Sequence, residues 1–208
     1  MEDVLDLSEE PYDPMRPKVN FDATSKQLIA ETRVPLPPIP GTPARYDYAY
    51  QRNGTCNLFM CCKPQAGWRH IAITAQRTMV DFAEHMRWLV DVRYPQAEGM
   101  RVVLDNLNPH KPAAFSEAFA PAEARRIVKK LALHDTPKHR SWLHMAEIEL
   151  SLLQRQCLAR RIPDKATLTR ETTAYEDARN AAHATITWRF TTTAAQEKLH
   201  RLYPSNSK

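Results

Sequence analysis

Three acids in this chain stand where carboxylates gather for metal chemistry. Asp22 closes the alternating run Lys18-Val19-Asn20-Phe21-Asp22, and Asp105 closes the apolar run Met100-Arg101-Val102-Val103-Leu104. A third acid, Glu147 or Glu149, lies in a long amphipathic stretch that starts near Trp142. Carboxylates drawn from separate elements hold hard divalent cations through oxygen, with a substrate phosphate completing the shell. Two such ions activate an attacking hydroxyl and stabilise the leaving oxygen of an in-line displacement at phosphorus. The chemistry these residues suggest is therefore metal-dependent phosphodiester cleavage or transfer. Asp22 also has a plainer reading, as a turn or capping acid ahead of Thr24-Ser25.

The elements that would position these acids follow from periodicity. Val19 and Phe21 share one face of a short strand, and Met100–Asp105 reads as a buried strand ending in an acid. Between them, residues 45–52 alternate Tyr46, Tyr48 and Tyr50 as a strand, Asn53-Gly54 signals a hairpin, and Thr55–Lys63 returns. Trp68–Thr74 follows the Pro64–Gly67 turn, so an antiparallel meander is expected. Val80, Ala83 and Val90 recur at helical spacing over 78–94, and Pro95 stops that helix. As a crossover, the helix would lay Met100–Asp105 parallel to the first strand. Pro112–Phe119 and Pro121–Lys130 read as helices with an early proline, the second basic through Arg125, Arg126, Lys129 and Lys130. Leu131–His134 reads as a strand, and Trp142–Arg161 as a long helix with the stripe Leu143, Ala146, Leu150, Leu153 and Cys157. Glu147 and Glu149 flank that stripe on opposite sides, so periodicity does not choose between them. Pro163-Asp164 opens a helix over 165–183, Thr187–Phe190 reads as extended, and Ala194–Leu202 as a last helix. Residues 1–17 are acidic and broken by Pro11, Pro14 and Pro17, which predicts an extended or loosely docked arm. Residues 34–43 predict a polyproline-like connector. The expected class is α/β.

Composition excludes several other classes. With 208 residues, 43% apolar and 25% charged, the chain can build one sizeable core. Its four glycines, Gly41, Gly54, Gly67 and Gly99, lie far apart, so a Gly-rich phosphate loop is excluded. Cys56, Cys61, Cys62 and Cys157 form no C-x-x-C pair, which argues against structural zinc and for reduced core thiols in a cytosolic protein. The start is acidic rather than signal-like, and apolar runs are too short to span a membrane, so no membrane partner is expected. Net charge is +5 but uneven. Residues 1–40 carry four basic against eight acidic groups, and residues 121–170 carry eleven against five. The second region is the footprint expected for a polyanion such as DNA, or else a solvated helix surface.

Three blocks of this chain resemble the catalytic blocks of DDE transposases: Phe21-Asp22, the run from Val103 to His110, and the run from His134 to Glu149. The likeness is to the bacterial insertion-sequence family IS-six-thirty, relatives of the mariner transposases. Arg52-Asn53-Gly54-Thr55, the Trp68 segment, Gln156-Cys157-Leu158, Arg179-Asn180 and Leu199–Pro204 are similar as well. The resemblance implies a ribonuclease-H-like mixed sheet flanked by helices, spanning 18–204 between an N-terminal arm (1–17) and a tail (205–208). It implies Asp22, Asp105 and Glu147 as catalytic metal ligands, selecting Glu147 over Glu149. The implied cofactor is Mg2+, with Mn2+ as substitute. Asn106, His110 and His144 would stand beside the metal site, and Lys138 and His139 would contact DNA phosphate beside the basic helix. The implied partners are transposon-end and target DNA and a second copy of the chain. A separate N-terminal helix-turn-helix reader is also implied, because the residues before Asp22 leave no room for one. The implied setting is the bacterial cytoplasm, with the nucleoid.

Four residues depart from the family pattern. Ala23 stands where Glu is common, Asp135 for Tyr, Arg140 for Gly and His144 for Asn. They motivate a competing reading, a non-catalytic remnant that binds DNA through charge. A ribonuclease-H-like nuclease acting on RNA–DNA hybrids is a further alternative with the same fold and metals.

Overall fold

The computed structural model describes residues 2–105, 112–136, 144–188 and 190–198. Its centre is β1 (Lys18–Glu31), which pairs antiparallel with β2 (Tyr50–Lys63) and parallel with β4 (Met100–Leu104). β3 (Trp68–Thr74) adds antiparallel to β2, and β5 (Leu131–Asp135) adds parallel to β4. The order is β3-β2-β1-β4-β5, a mixed five-stranded sheet. The antiparallel half is a meander, but its first strand is β1 rather than the tyrosine run at 45–52; only the step from β2 to β3 is the expected one. The parallel half requires crossovers, which the helices supply.

Both faces of the sheet are covered. On one, Val19, Phe21, Phe59, Cys61, Val102 and Leu104 pack against Phe82, Met86, Phe115 and Ile127. Those four come from α2 (Met79–Trp88), α3 (Ala113–Ala118) and α4 (Pro121–Lys130). Phe21 lies 5.6 Å from Phe59 and 5.3 Å from Phe82, ring centre to ring centre. On the other face, Leu58, Met60, Cys62 and Ile71 meet Ala146 and Leu153 of α5 (Met145–Gln156) and Leu168 of α6 (Lys165–Ala181). Residues 56–62 of β2 are buried without interruption, which is why that run is apolar at every turn of the pleat except Asn57.

Local signals explain most boundaries. Thr78 and Asp81 form a reciprocal capping box at the start of α2, and a π-helical turn, Leu89–Arg93, ends it before Pro95. Asp164 caps α6 by accepting from the Thr167 amide. The turn at Pro64–Ala66 closes on Gly67 in the left-handed region (φ +65°).

Four expectations change. The first residues are not an extended arm: Glu2–Glu9 form α1, with Val4 and Leu7 packed on Val103, and Leu5 on Ala195 of α7 (Thr192–Lys198). Three apolar residues at helical spacing outweigh the local acidity once a sheet face is there to receive them. β1 does not stop at Asp22 but runs nine residues further, to Glu31. Asn53-Gly54 is not a hairpin. Gln27 pairs with Thr55 and Ile29 with Arg52, so Leu28 faces two residues and Gly54 (φ +92°) sits in a β-bulge inside one long strand. Tyr46 and Tyr48 accordingly lie outside β2 and are exposed, in a 32–49 connector pinned by bridges at Leu36–Arg45 and Ile39–Thr42. The Trp142 and Leu202 ends of the two expected helices lie outside the described residues.

Candidate metal centre

The parallel pairing of β1 with β4 ends at Phe21–Leu104. β1 continues past that point, so a crevice opens at the carboxyl end of β4, with Asp22 on one side and Asp105 on the other. Crevices at strand carboxyl ends are the usual ligand sites of open α/β sheets. The end of β4 is held by the Thr136 amide, which donates to the Leu104 carbonyl at 2.9 Å. Strand alternation turns Phe21 into the core and Asp22 to the opposite face, toward α5.

α5 delivers the remaining groups. His144 is its N-cap and Glu147 lies in its first turn, three residues on. This spacing puts both on one side of the helix. An Asp22 oxygen, a His144 ring nitrogen and a Glu147 oxygen all lie within 4.8 Å of one another. The helix N-terminus is favourable for an acid there. His144 is fully buried, and its ring is not used as a helix cap. Instead, Nδ1 lies 3.8 Å from Asp22 Oδ2 and Nε2 lies 3.4 Å from the Val103 carbonyl.

Asp22 is 7% exposed, and its carboxyl is raised to about 7. Burial is the main cause. The Ala23 amide, donating to Oδ1 at 2.7 Å, opposes it. The charges of Asp105 and Glu147 add to the rise, and Arg77 counters them weakly. Crowded acids in a dry crevice are costly by themselves, and a divalent cation would neutralise them. The donor set of two carboxylates and an imidazole, with Asp105 alongside, fits such an ion.

The two acids that periodicity left equivalent have different surroundings. Glu149 is fully buried and tied to Arg69, with Nε–Oε2 and Nη2–Oε1 both 3.2 Å, and to Arg179 at 3.4 Å. It is a structural ion pair on the far flank of α5, while Glu147 faces Asp22. No local sequence signal marks Arg69 or Arg77.

The basic helix stands apart from the acids. Lys130 precedes Leu131, which pairs with Met100 at the opposite end of β4 from Asp105. That is about 13 Å along the strand. Arg126 is engaged by Asp91 at 2.6 and 2.8 Å, and Arg125 is exposed. Asn106, His110, Lys138 and His139 lie outside the described residues. A second suggestive contact, Cys61 Sγ to His85 Nε2 at 3.0 Å, is not a nucleophile–base pair. Burial pushes the thiol up and the imidazole down to about 3, so both stay neutral.

The family model described as DDE superfamily endonuclease matches residues 18–169. No curated protein sequence matches the chain significantly. Among solved structures, the Mos1 mariner paired-end complex with Mn is similar with a TM-score of 0.56 and 14% identity, covering 88% of this chain and 54% of that one. The Mos1 paired-end complex with left transposon end follows at TM-score 0.53 and 12% identity, covering 88% and 56%. The chain thus spans little more than half the length of the structures it matches, and at this identity the likeness is one of fold. The mixed sheet with helices on both faces is that of ribonuclease-H-like transposase cores. With the family model covering most of the chain and its acids at the carboxyl end of β4, this protein belongs to the DDE superfamily endonucleases.

Proposed function

We propose that this chain is the catalytic domain of a transposase, cleaving DNA and joining 3′-hydroxyl ends to a target with a divalent cation, Mg2+ or Mn2+. The observation that carries the reading is the convergence of Asp22 and Glu147, with Asp105 alongside, in a chain of the DDE endonuclease family. The finer assignment to the IS-six-thirty group rests on the three residue blocks around Asp22, Asp105 and Glu147.

Asp22, Asp105 and Glu147 would hold the metal. The chemistry a bound divalent cation supplies is Lewis acidity at the phosphate and activation of the attacking hydroxyl. The protein's own part is positional. β1 and β4 fix the two aspartates through the sheet, while α5 brings Glu147 across the crevice. The dry wall formed by Val103 and His144 limits water at that side. DNA is the proposed substrate because the family is one of endonucleases and the similar Mos1 structures are paired-end complexes, one of them with a transposon end; two copies of this chain would then act together on paired ends. A separate end-reading domain would supply sequence specificity.

The test is to incubate the purified chain with Mn2+ or Mg2+, supercoiled plasmid and a labelled duplex carrying a free 3′-hydroxyl. Metal-dependent nicking or joining is expected, falling to the protein-free level in Asp22→Asn and Asp105→Asn. Products that persist in both variants would overturn the assignment. An RNA–DNA hybrid cut in preference to duplex DNA would replace transposition by hybrid hydrolysis.

A further inference from the structure

We propose that His144 is a nitrogen ligand of this centre and makes it select Mn2+ over Mg2+. The inference deepens the metal reading above and rests on it.

The ring is placed as a ligand is placed. His144 is fully buried, so its orientation is fixed by neighbours rather than by solvent. Its Nε2 lies 3.4 Å from the Val103 carbonyl, and a carbonyl oxygen can only accept. The proton of the neutral ring therefore belongs on Nε2, which leaves the Nδ1 lone pair facing Asp22 Oδ2 at 3.8 Å. That distance is too long for a hydrogen bond. It matches two atoms that share one ion, since bonds of about 2.1 Å meeting at ordinary angles place their donors about 3–4 Å apart. A histidine that binds metal through one nitrogen and donates its other N–H to a backbone carbonyl is the common arrangement, because the second bond fixes the tautomer. Val103 sits two residues before Asp105, so the strand that carries one acid also aims the imidazole.

Selectivity follows from the donor. Mg2+ demands oxygen ligands and sheds water reluctantly, whereas first-row transition ions accept imidazole nitrogen. A site of carboxylates alone serves either ion, and adding a buried nitrogen within 4.8 Å of both Asp22 and Glu147 tips it toward Mn2+.

The test uses binding and spectroscopy on the whole chain, without DNA. Mn2+ binding is followed by the loss of the free-ion electron paramagnetic resonance signal, with Mg2+ as competitor. Pulsed resonance then reads hyperfine coupling from directly bound nitrogen. The expected result is Mn2+ binding at least about tenfold tighter than Mg2+, with nitrogen coupling present. His144→Asn, which offers an oxygen instead, should lose the coupling and about tenfold in Mn2+ affinity, with Mg2+ affinity within about threefold of the parent. Bound Mn2+ without nitrogen coupling in the parent protein overturns the proposal whatever the variant does, so the test survives a variant that fails to fold. Binding of neither ion overturns both this proposal and the metal centre. Binding of both ions equally, without coupling, overturns this one alone.

Discussion

At the scale of single residues, the two acids of α5 make opposite predictions. Glu149 is locked to Arg69, so Glu149→Gln leaves a buried guanidinium uncompensated and should cost about 3–5 kcal/mol in urea unfolding. Glu147→Gln relieves crowding against Asp22 and should change metal-free stability by less than about 1 kcal/mol or raise it, while weakening metal binding. Asp22 gives a pH signature. Its folded value of about 7 stands above the ordinary 3.8, so between those limits the native state keeps a proton that the unfolded chain has released. The stabilising contribution is full below pH 3.8 and is lost as pH rises to about 7. Metal-free Asp22→Asn should therefore be the more stable protein at pH 8, by an amount on the order of 4 kcal/mol. That gap should close as pH falls toward 4 and reverse at pH 8 with saturating Mn2+. Chemical denaturation across pH, with and without metal, checks all three points.

At the scale of elements, two glycines with positive φ differ in what surrounds them. At Gly54, in the β2 bulge, an added Cβ meets nothing within 4 Å, so Gly54→Ala should cost only the left-handed backbone penalty, about 1–2 kcal/mol. At Gly67 the same Cβ would fall 2.6 Å from the His183 carbonyl carbon. Gly67→Ala must push back the segment whose Ala184 carbonyl accepts from Arg69, loosening the pair that holds Glu149. Its loss in thermal unfolding should clearly exceed that of Gly54→Ala, and an equal loss would contradict this packing. The bulge also shows why Asn53-Gly54 misleads. The dipeptide favours positive φ in a hairpin turn and in a bulge alike, and the choice lies with β1, which supplies partners on both sides of it.

At the scale of the whole molecule, the sheet separates the acids from the basic helix. Lys129 and Lys130 stand at the opposite end of β4 and β5 from Asp105. Replacing both by Ala should reduce the salt dependence of DNA binding if they meet phosphate, and leave Mn2+ affinity and cleavage at saturating DNA unchanged. A loss of metal binding in that variant would contradict the separation. Among the described residues no helix is long and apolar enough to cross a membrane.

Periodicity and composition are properties of the chain itself, and what they encode was legible. The crossover helix, the parallel placement of β4 beside β1 and the capped start of α6 all follow from local spacing. So does the presence of acids at Asp22 and Asp105, and resemblance drew Glu147 to them. What the sequence could not decide depends on partners distant along the chain. Glu147 and Glu149 flank the α5 stripe symmetrically, and only Arg69, arriving from 80 positions away, makes one of them structural. The helix at Glu2–Glu9 exists because Val103 and Ala195 receive its apolar side. His144 becomes a candidate ligand only where β1 and β4 bring Asp22 and the Val103 carbonyl to either side of its ring, since a side chain's role is fixed by what folding places against it.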